Sequence, residues 1–193
     1  MRPYAGRRIV LGVTGGIASY KTGWLARLLT AAGAEVDVVM TRAATEFVGP
    51  VTFEALTGRP VHTDLFEPGR ALDHIALAKG AHAIVVAPAT ADFLARVAHG
   101  FADDLLTACL LATEAPVLLV PAMNDRMWAN RQTQQNVQHL RELGHQVIEP
   151  DECVRLAEET GSVILHPLMG GMAPELGWEG LRLFEREVLP RIR

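Results

Sequence analysis

Short apolar runs alternate along the chain with segments in which apolar residues recur at helical spacing. The strand-like runs lie at 7–13, 35–40, 83–87, 117–120 and 146–148, and the helical segments at 17–32, 43–57 (broken at Gly49-Pro50), 91–98, 103–112 and 132–143. The runs at 83–87 and 117–120 are apolar throughout, which is typical of parallel strands covered on both faces. The alternation predicts an α/β fold: a doubly wound, Rossmann-like, mostly parallel sheet with flavodoxin-type layering and helices on both faces.

The composition is that of one folded domain. The chain has 193 residues, of which 49% are hydrophobic and 21% are charged. Domains commonly contain about 100 to 200 residues, so we expect a single domain over residues 1–193. The formal net charge of −4 and the absence of a basic run predict that neither nucleic acid nor an anionic membrane is a partner.

Run lengths and cysteine content restrict the class further. The apolar runs are far shorter than the ~20 residues that span a bilayer, and the N-terminus lacks a signal-peptide apolar region. Cys109 and Cys153 are too few for a disulfide framework or a structural zinc site, so no metal is expected. Together these features predict a cytoplasmic protein.

Small and hydroxylated residues follow the strand-like runs at one predicted edge of the sheet, where doubly wound folds bind ligands. Thr14-Gly15-Gly16-Ile17-Ala18-Ser19 places a glycine turn before a helix and leaves backbone N–H groups to hold a phosphate. Thr41 and Thr90 add hydroxyls at the same edge. The alternative interpretation is a tight turn without a ligand and two threonine helix caps.

Two further segments carry candidate chemistry. Asp73-His74 begins a short amphipathic segment, and a histidine there could act as an acid or base near neutral pH. A purely structural histidine is the alternative. Asn124, in Pro121-Ala122-Met123-Asn124, directly follows a buried strand and offers a donor and an acceptor to a substrate carboxylate or amide. Its alternative role is to cap the next helix.

Several short motifs occur in a fixed order between residues 7 and 149. They are Gly12-Val13-Thr14-Gly15-Gly16-Ile17-Ala18-Ser19-Tyr20-Lys21, Met40-Thr41 with Phe47, His74-Ile75, Ala87-Pro88-Ala89-Thr90-Ala91-Asp92 through Asp104-Leu105, and Pro121-Ala122-Met123-Asn124-Asp125-Arg126-Met127-Trp128. This ordered set resembles the homo-oligomeric flavin-containing cysteine decarboxylases. That family includes phosphopantothenoylcysteine decarboxylase and the decarboxylases of the C-terminal cysteine of ribosomal peptides.

The resemblance implies an FMN cofactor, although the residues alone leave FAD open. The FMN phosphate is then expected near Gly15, Gly16, Ile17, Ala18, Ser19 and Thr41, and the ring near Phe47, Ala89, Thr90, Asp104 and Thr107. His74 is the implied base, and Asn124 is the implied carboxylate-binding residue, with Ala122 and Met123 beside it. The family also implies a homotrimer, or a dodecamer of four trimers, with the flavin between subunits.

The implied reaction explains why a flavin is needed. Loss of CO₂ from an ordinary cysteine carboxylate leaves a carbanion without an electron sink. Hydride transfer from the cysteine Cβ to the flavin, with loss of the thiol proton, gives a thioaldehyde whose C=S accepts the electron pair as CO₂ departs. The direct product is an aminoenethiol.

The segment 151–174 departs from one branch of the family. Phosphopantothenoylcysteine decarboxylases saturate the enethiol with a cysteine on a flexible substrate flap, which is expected here at about 151–174. Aligned from Pro150, Glu158 lies where that cysteine should be, and Cys153 comes several residues earlier. We therefore favour oxidative decarboxylation of a cysteine-ended peptide. Phosphopantothenoylcysteine as substrate, with Cys153 in an altered register, is the alternative, and a non-catalytic flavin-binding regulatory subunit is the third.

Overall fold

A computed structural model describes residues 3–70 and 72–148. Its strands are β1 (Arg8–Val13), β2 (Glu35–Met40), β3 (Val61–His62), β4 (Ala83–Ala89), β5 (Val117–Pro121) and β6 (Gln146–Val147). Its helices are α1 (Ser19–Ala31), α2 (Arg42–Thr45), α3 (Pro50–Thr57), α4 (Asp73–Gly80), α5 (Ala91–Ala98), α6 (Leu105–Ala112), α7 (Asp125–Trp128) and α8 (Arg131–Glu142). None of these helices is both long and apolar enough to cross a membrane.

The strands of the described ranges form one parallel sheet in the order β3-β2-β1-β4-β5-β6. The chain builds outward from β1 in one direction and then returns to start the other half at β4, directly beside β1. The predicted doubly wound α/β fold is confirmed. The reversal between β1 and β4 marks the crevice in which such sheets bind ligands. The single domain expected over 1–193 stays a prediction, because residues 149–193 lie outside the described residues.

Two apolar clusters cover the two faces of the sheet. Successive residues of β1 and β4 contribute to opposite clusters, with Leu11 and Val85 in the first and Val10 and Val86 in the second. Helices α1 and α3 complete the first cluster, and α4, α5, α6 and α8 complete the second. Because both faces are covered by helices, β4 and β5 are apolar throughout, as their sequence indicates.

Three details differ from the sequence prediction. Helix α1 begins at Ser19 rather than at residue 17, because residues 15–18 form the turn between β1 and the helix. Strand β4 continues through Pro88 to Ala89. Strand β3 is absent from the prediction, because a two-residue edge strand is too short to show any periodicity.

Truncation of Leu119 in β5 tests the second cluster. Leu119 is fully buried, so Leu119→Ala is expected to lower the free energy of unfolding by about 3 kcal/mol through lost burial and the cavity left behind. Leu143 is 55% exposed, and Leu143→Ala should change that free energy by less than about 1 kcal/mol. Urea denaturation followed by circular dichroism measures both variants. Equal effects would contradict the placement of Leu119 in the core.

Candidate functional site

A cavity of about 1160 Å³ lies beyond the carboxyl ends of β1, β2, β4 and β5. It occupies the crevice where the strand order reverses. The residues assigned to cofactor or substrate from the sequence that line this cavity are Gly15, Gly16, Ile17, Ala18, Thr41, Thr90, Asp104, Ala122, Met123 and Asn124. The sheet therefore joins segments that are far apart in the chain into one site, which we call the first cavity.

The glycine turn is closely packed at one glycine and open at the next. A Cβ on Gly15 would lie 2.4 Å from the Cβ of Ala43 and 2.8 Å from its carbonyl carbon. A Cβ on Gly16 would meet only the Cγ2 of Thr90, at an ordinary contact distance of 3.6 Å. Only glycine therefore allows the turn at position 15 to approach the backbone of the segment after β2.

Backbone donors of this turn face no partner in the described part of the chain. Within residues 3–70 and 72–148, the N–H groups of Gly15, Ile17 and Ala18 donate to no other group. The Ser19 hydroxyl closes the turn by donating to the carbonyl oxygen of Thr14 at 2.8 Å. Three unpaired donors at the N-terminus of a 13-residue helix form a cradle that suits a phosphate.

Thr14 joins this turn to the end of β4. Its buried hydroxyl donates to the carbonyl oxygen of Pro88 at 2.7 Å and accepts from the N–H of Thr90 at 3.1 Å. The Thr22 hydroxyl of α1 makes a similar bond, 2.6 Å long, to the carbonyl oxygen of Ala87. The sequence assigns no such role to either threonine, because the partners lie more than 60 residues away in the chain.

Three side chains that line the first cavity also cap helices. Thr41, Thr90 and Asp104 each accept a hydrogen bond from the backbone N–H three residues later, at the starts of α2, α5 and α6. At α6 the Thr107 hydroxyl oxygen accepts from the backbone N–H of Asp104, which completes a capping box. The helix-cap interpretation of Thr41 and Thr90 is therefore confirmed, and both residues also line the cavity.

Asn124 is oriented by its own cap. Its Oδ1 accepts from the backbone N–H of Arg126 at 2.9 Å at the start of α7, which confirms the capping alternative. Within the described ranges its Nδ2 donates to no group. The same side chain therefore holds a helix start with its oxygen and retains an amide donor for a carboxylate.

Four residues assigned to the cofactor do not line the first cavity. Ser19, Ala89 and Thr107 are fully buried, whereas Phe47 is half exposed. Ser19 and Thr107 shape the glycine turn and the start of α6 through their hydrogen bonds. Direct contact of these four residues with a cofactor stays a prediction.

Apart from Asp104, the charged side chains that line the cavity are missing from the sequence assignment. Arg96 pairs with Asp92 at 3.1 Å and with Asp103 at 2.6 Å. The hydrogen bond between Arg96 and Asp103 raises the pKa of the arginine and lowers that of the aspartate, so both are charged at neutral pH. Arg42 and Glu46 line the cavity as well. The four-residue spacing of Asp92 and Arg96 in a helical segment is the sequence signal for the first pair.

His74 lies in a different cavity from Asn124. This second cavity, about 680 Å³, is lined by Leu65, Phe66, Glu67, Pro68, Gly69, His74, Ile75, Ala102, Ala108, Leu111 and Ala112. Helix α6 lies between the two cavities: Asp104, its N-cap, lines the first, and its later residues line the second. The Nδ1 atom of His74 is buried and has no hydrogen-bond partner among the described residues.

The described residues include one of the two cysteines, Cys109. Cys109 is fully buried in the second apolar cluster, as expected for a packing residue. Burial raises the pKa of its thiol to about 12, so it is not a thiolate at neutral pH. Cys153, Glu158 and the flap expected at 151–174 lie outside the described residues.

Similarity to known sequences covers most of the chain. A family model described as Flavoprotein matches residues 1–168. The coenzyme A biosynthesis bifunctional protein CoaBC of Vibrio vulnificus (strain YJ016) is 49% identical over 152 residues, which are 78% of this chain and 38% of that protein. The chain thus spans about two fifths of the length of this curated relative.

Solved structures of similar sequence have the same fold. The FMN-dependent cysteine decarboxylase SpaF is 40% identical, with a TM-score of 0.72 over 78% of this chain and 87% of that one. A cysteine-to-serine variant of PPC (phosphopantothenoylcysteine) decarboxylase, complexed with pantothenoylaminoethenethiol, is 30% identical. Its TM-score is 0.65 over 75% of this chain and 82% of that one. These similarities confirm the resemblance drawn from the ordered motifs: the chain belongs to the flavoprotein family.

Proposed function

We propose that this protein removes the cysteine carboxylate of phosphopantothenoylcysteine, with FMN as its cofactor. Its relatives are flavin-dependent cysteine decarboxylases, and the protein is an enzyme of that lyase class. The first cavity carries the proposal. It combines three backbone donors of the glycine turn with the Nδ2 of Asn124, and none of these donors has a partner within the described residues. The turn suits a phosphate, and the amide nitrogen suits a carboxylate.

The choice of substrate follows the degree of similarity. The coenzyme A biosynthesis protein CoaBC is 49% identical to this chain, SpaF is 40% identical, and the PPC decarboxylase variant complexed with pantothenoylaminoethenethiol is 30% identical. Glu158, at the position where the flap cysteine is expected, favours a peptide. The higher similarity to CoaBC supports phosphopantothenoylcysteine better, and we prefer it for that reason.

The residues of the first cavity fit FMN. Gly15, Ile17 and Ala18 would hold the phosphate with their N–H groups, where the dipole of α1 favours a negative charge. Thr90, the N-cap of α5, and Asp104, the N-cap of α6, would lie beside the ring. Bound FMN supplies a hydride acceptor and so provides the electron sink that loss of CO₂ requires.

Asn124 would hold the leaving carboxylate. Because Oδ1 is occupied by the cap of α7, the side chain presents its NH₂ group, and a carboxylate oxygen can accept from it. Ala122 and Met123 line the same wall, and the N–H of Ala122 is fixed by a 3.1 Å bond to the carbonyl oxygen of Ala89. This rigid wall orients the carboxylate relative to the substrate Cβ, a task that contributes several kcal/mol to catalysis in order of magnitude.

His74 would act in a site shared between subunits. It lines the second cavity and not the first, which holds Asn124. In a homotrimer, the second cavity of one subunit could face the first cavity of the next. The imidazole would then take the thiol proton of a substrate bound by the neighbouring subunit.

A cysteine-ended peptide is the second candidate substrate. SpaF, a cysteine decarboxylase, matches this chain over most of its own length, and the departure at Glu158 removes the proton donor expected for saturating the enethiol. In that case the enethiol would be the final product, and turnover would require an external electron acceptor.

Replacement of Gly15 tests the phosphate cradle. The added methyl group of Gly15→Ala overlaps the backbone of Ala43, which must displace the turn. FMN affinity is expected to fall about tenfold or more, as measured by flavin fluorescence titration. Gly23→Ala is the matched control, because its Cβ would only touch the Leu56 side chain at 3.4 Å. Wild-type affinity in Gly15→Ala would contradict the placement of the phosphate.

Product masses distinguish the two substrates. Incubation with phosphopantothenoylcysteine is expected to give a loss of about 44 mass units for CO₂, or about 46 if two hydrogens are also removed. A peptide ending in cysteine, tested at the same concentration, should remain largely unchanged, and its C-terminal amide is the negative control. Conversion of the peptide alone, with a loss of about 46, would replace the preferred substrate by the second candidate.

Mixed oligomers test the shared site. His74→Asn is expected to bind FMN but to lose about 10²-fold or more in kcat, because proton transfer is removed. Gly15→Ala, assayed at an FMN concentration below its raised Kd, should be largely inactive because little FMN is bound. Co-expression of the two chains with different affinity tags should restore activity, since one subunit supplies FMN and the other an intact His74. Inactive mixed oligomers would contradict sharing, and a fully active His74→Asn would contradict the catalytic role.

A further inference from the structure

Three charged or polar side chains contact one another at the start of the helix that carries His74. His62 ends β3, Arg70 precedes α4, and Asp73 is the first residue of α4. The Arg70 Nε atom lies 2.7 Å from Asp73 Oδ2, and an Arg70 terminal nitrogen lies 2.7 Å from His62 Nδ1. The Nδ1 atom of His62 is also 3.2 Å from Asp73 Oδ2. We call these three residues the clamp.

The protonation state of His62 decides how the clamp is bonded. Burial, followed by the neighbouring Arg70 charge, lowers the pKa of His62, although Asp73 and Asp37 act in the opposite direction. The ring is therefore neutral at pH 7, and its Nδ1 accepts from the Arg70 guanidinium. The same guanidinium donates to Asp73, so Arg70 bridges the imidazole and the carboxylate.

The clamp fixes the start of the helix that carries His74. The N-cap of α4, Leu72, has no capping side chain, so the first turn is not secured in the usual way. The N–H of Asp73 donates to the carbonyl oxygen of Arg70 at 3.0 Å, and its carboxylate is tied to Arg70 and thereby to β3. His74 is the next residue, so the direction of its side chain depends on this anchor.

We propose that His62 and Arg70, acting through Asp73, are positioning residues for His74 in the decarboxylation reaction. This inference rests on the proposed function. The clamp lies outside the first cavity, so its effect should appear in the proton-transfer step and not in FMN binding. A displacement of about 1 Å at a reacting group is enough to reduce a rate up to about 10²-fold.

A contribution to folding alone does not account for the clamp. The side chains of Arg70 and Asp73 are 29% and 26% exposed, and ion pairs so accessible to water contribute little to folding stability. His62 is the better-buried member, so its replacement separates packing from hydrogen bonding. Phenylalanine keeps the ring but removes the acceptor. Asparagine is smaller but can place its Oδ1 near the position of the imidazole Nδ1.

The decisive measurement compares His62→Phe with His62→Asn in the FMN-loaded enzyme, using phosphopantothenoylcysteine as substrate. His62→Phe is expected to lower kcat about tenfold with KM and FMN content within about twofold of wild type. His62→Asn should retain most of kcat because it restores the acceptor for Arg70. A packing role predicts the opposite order, so a His62→Phe enzyme at least as active as His62→Asn would overturn the proposal.

Asp73→Asn tests the other end of the clamp. It should lower kcat about tenfold at nearly unchanged KM, because the neutral amide binds the Arg70 guanidinium more weakly and leaves it paired mainly with Glu67, whose Oε2 accepts from Arg70 at 2.8 Å. Glu142→Gln is the matched control: it removes a carboxylate that lies 3.8 Å from the Nδ1 of His139 on α8 and lines neither cavity, and it should have wild-type kcat. An Asp73→Asn enzyme with wild-type kcat would contradict the clamp.

A readout that does not need turnover separates this inference from the proposed function. Carbethoxylation of His74 by diethyl pyrocarbonate, followed by peptide mass mapping, should change at least about threefold in rate in Asp73→Asn and His62→Phe but not in His62→Asn or Glu142→Gln. If the wild-type enzyme leaves the substrate unchanged while this pattern holds, the proposed function fails and the clamp stands. Equal His74 labelling in all variants would overturn the clamp whatever the activity.

Discussion

The paired hydrogen bonds of Thr14 are the constraint on which the first cavity depends. β1 and β4 are neighbours, but the helices that follow them pack on opposite faces of the sheet, which opens a crevice between the two strand ends. The Thr14 hydroxyl spans this crevice by donating to Pro88 and accepting from Thr90. Because the hydroxyl is buried, breaking these bonds would leave polar groups unpaired, which costs about 1–3 kcal/mol for each. The glycine turn and the Thr90 cap therefore keep a fixed separation.

Helix α6 is the second feature that organises the site. Its capped start belongs to the first cavity, and its later turns line the cavity that holds His74. Chemistry that needs both Asn124 and His74 is thus divided by one well-packed helix within a single chain. The proposed sharing between subunits resolves this division without any movement of α6, whose residues Leu106 and Cys109 are fully buried.

Local signals in the sequence explain which features could be predicted. Strands β4 and β5 are continuous apolar runs, and β1 and β2 are mostly apolar. The glycine turn follows β1 and Asn124 follows β5, so most of the sheet and ten of the cavity residues could be found from the chain alone. The bonds of Thr14 and the clamp depend on contacts between distant segments and give no local pattern. The placement of His74 and Asn124 in different cavities also gives no local signal. Each residue belongs to a recognisable sequence motif, but only the packing around α6 decides which cavity it lines.

Four residues that line the first cavity, Thr41, Thr90, Asp104 and Asn124, are also the caps of the helices behind them. Serine, threonine, aspartate and asparagine perform that folding task almost equally well. Exchange within this group therefore preserves the helix starts while it changes the charge and donor pattern that a ligand meets. The scaffold can thus diverge in substrate preference at these four positions with little change in fold stability, since the cap needs only one acceptor lone pair of each side chain.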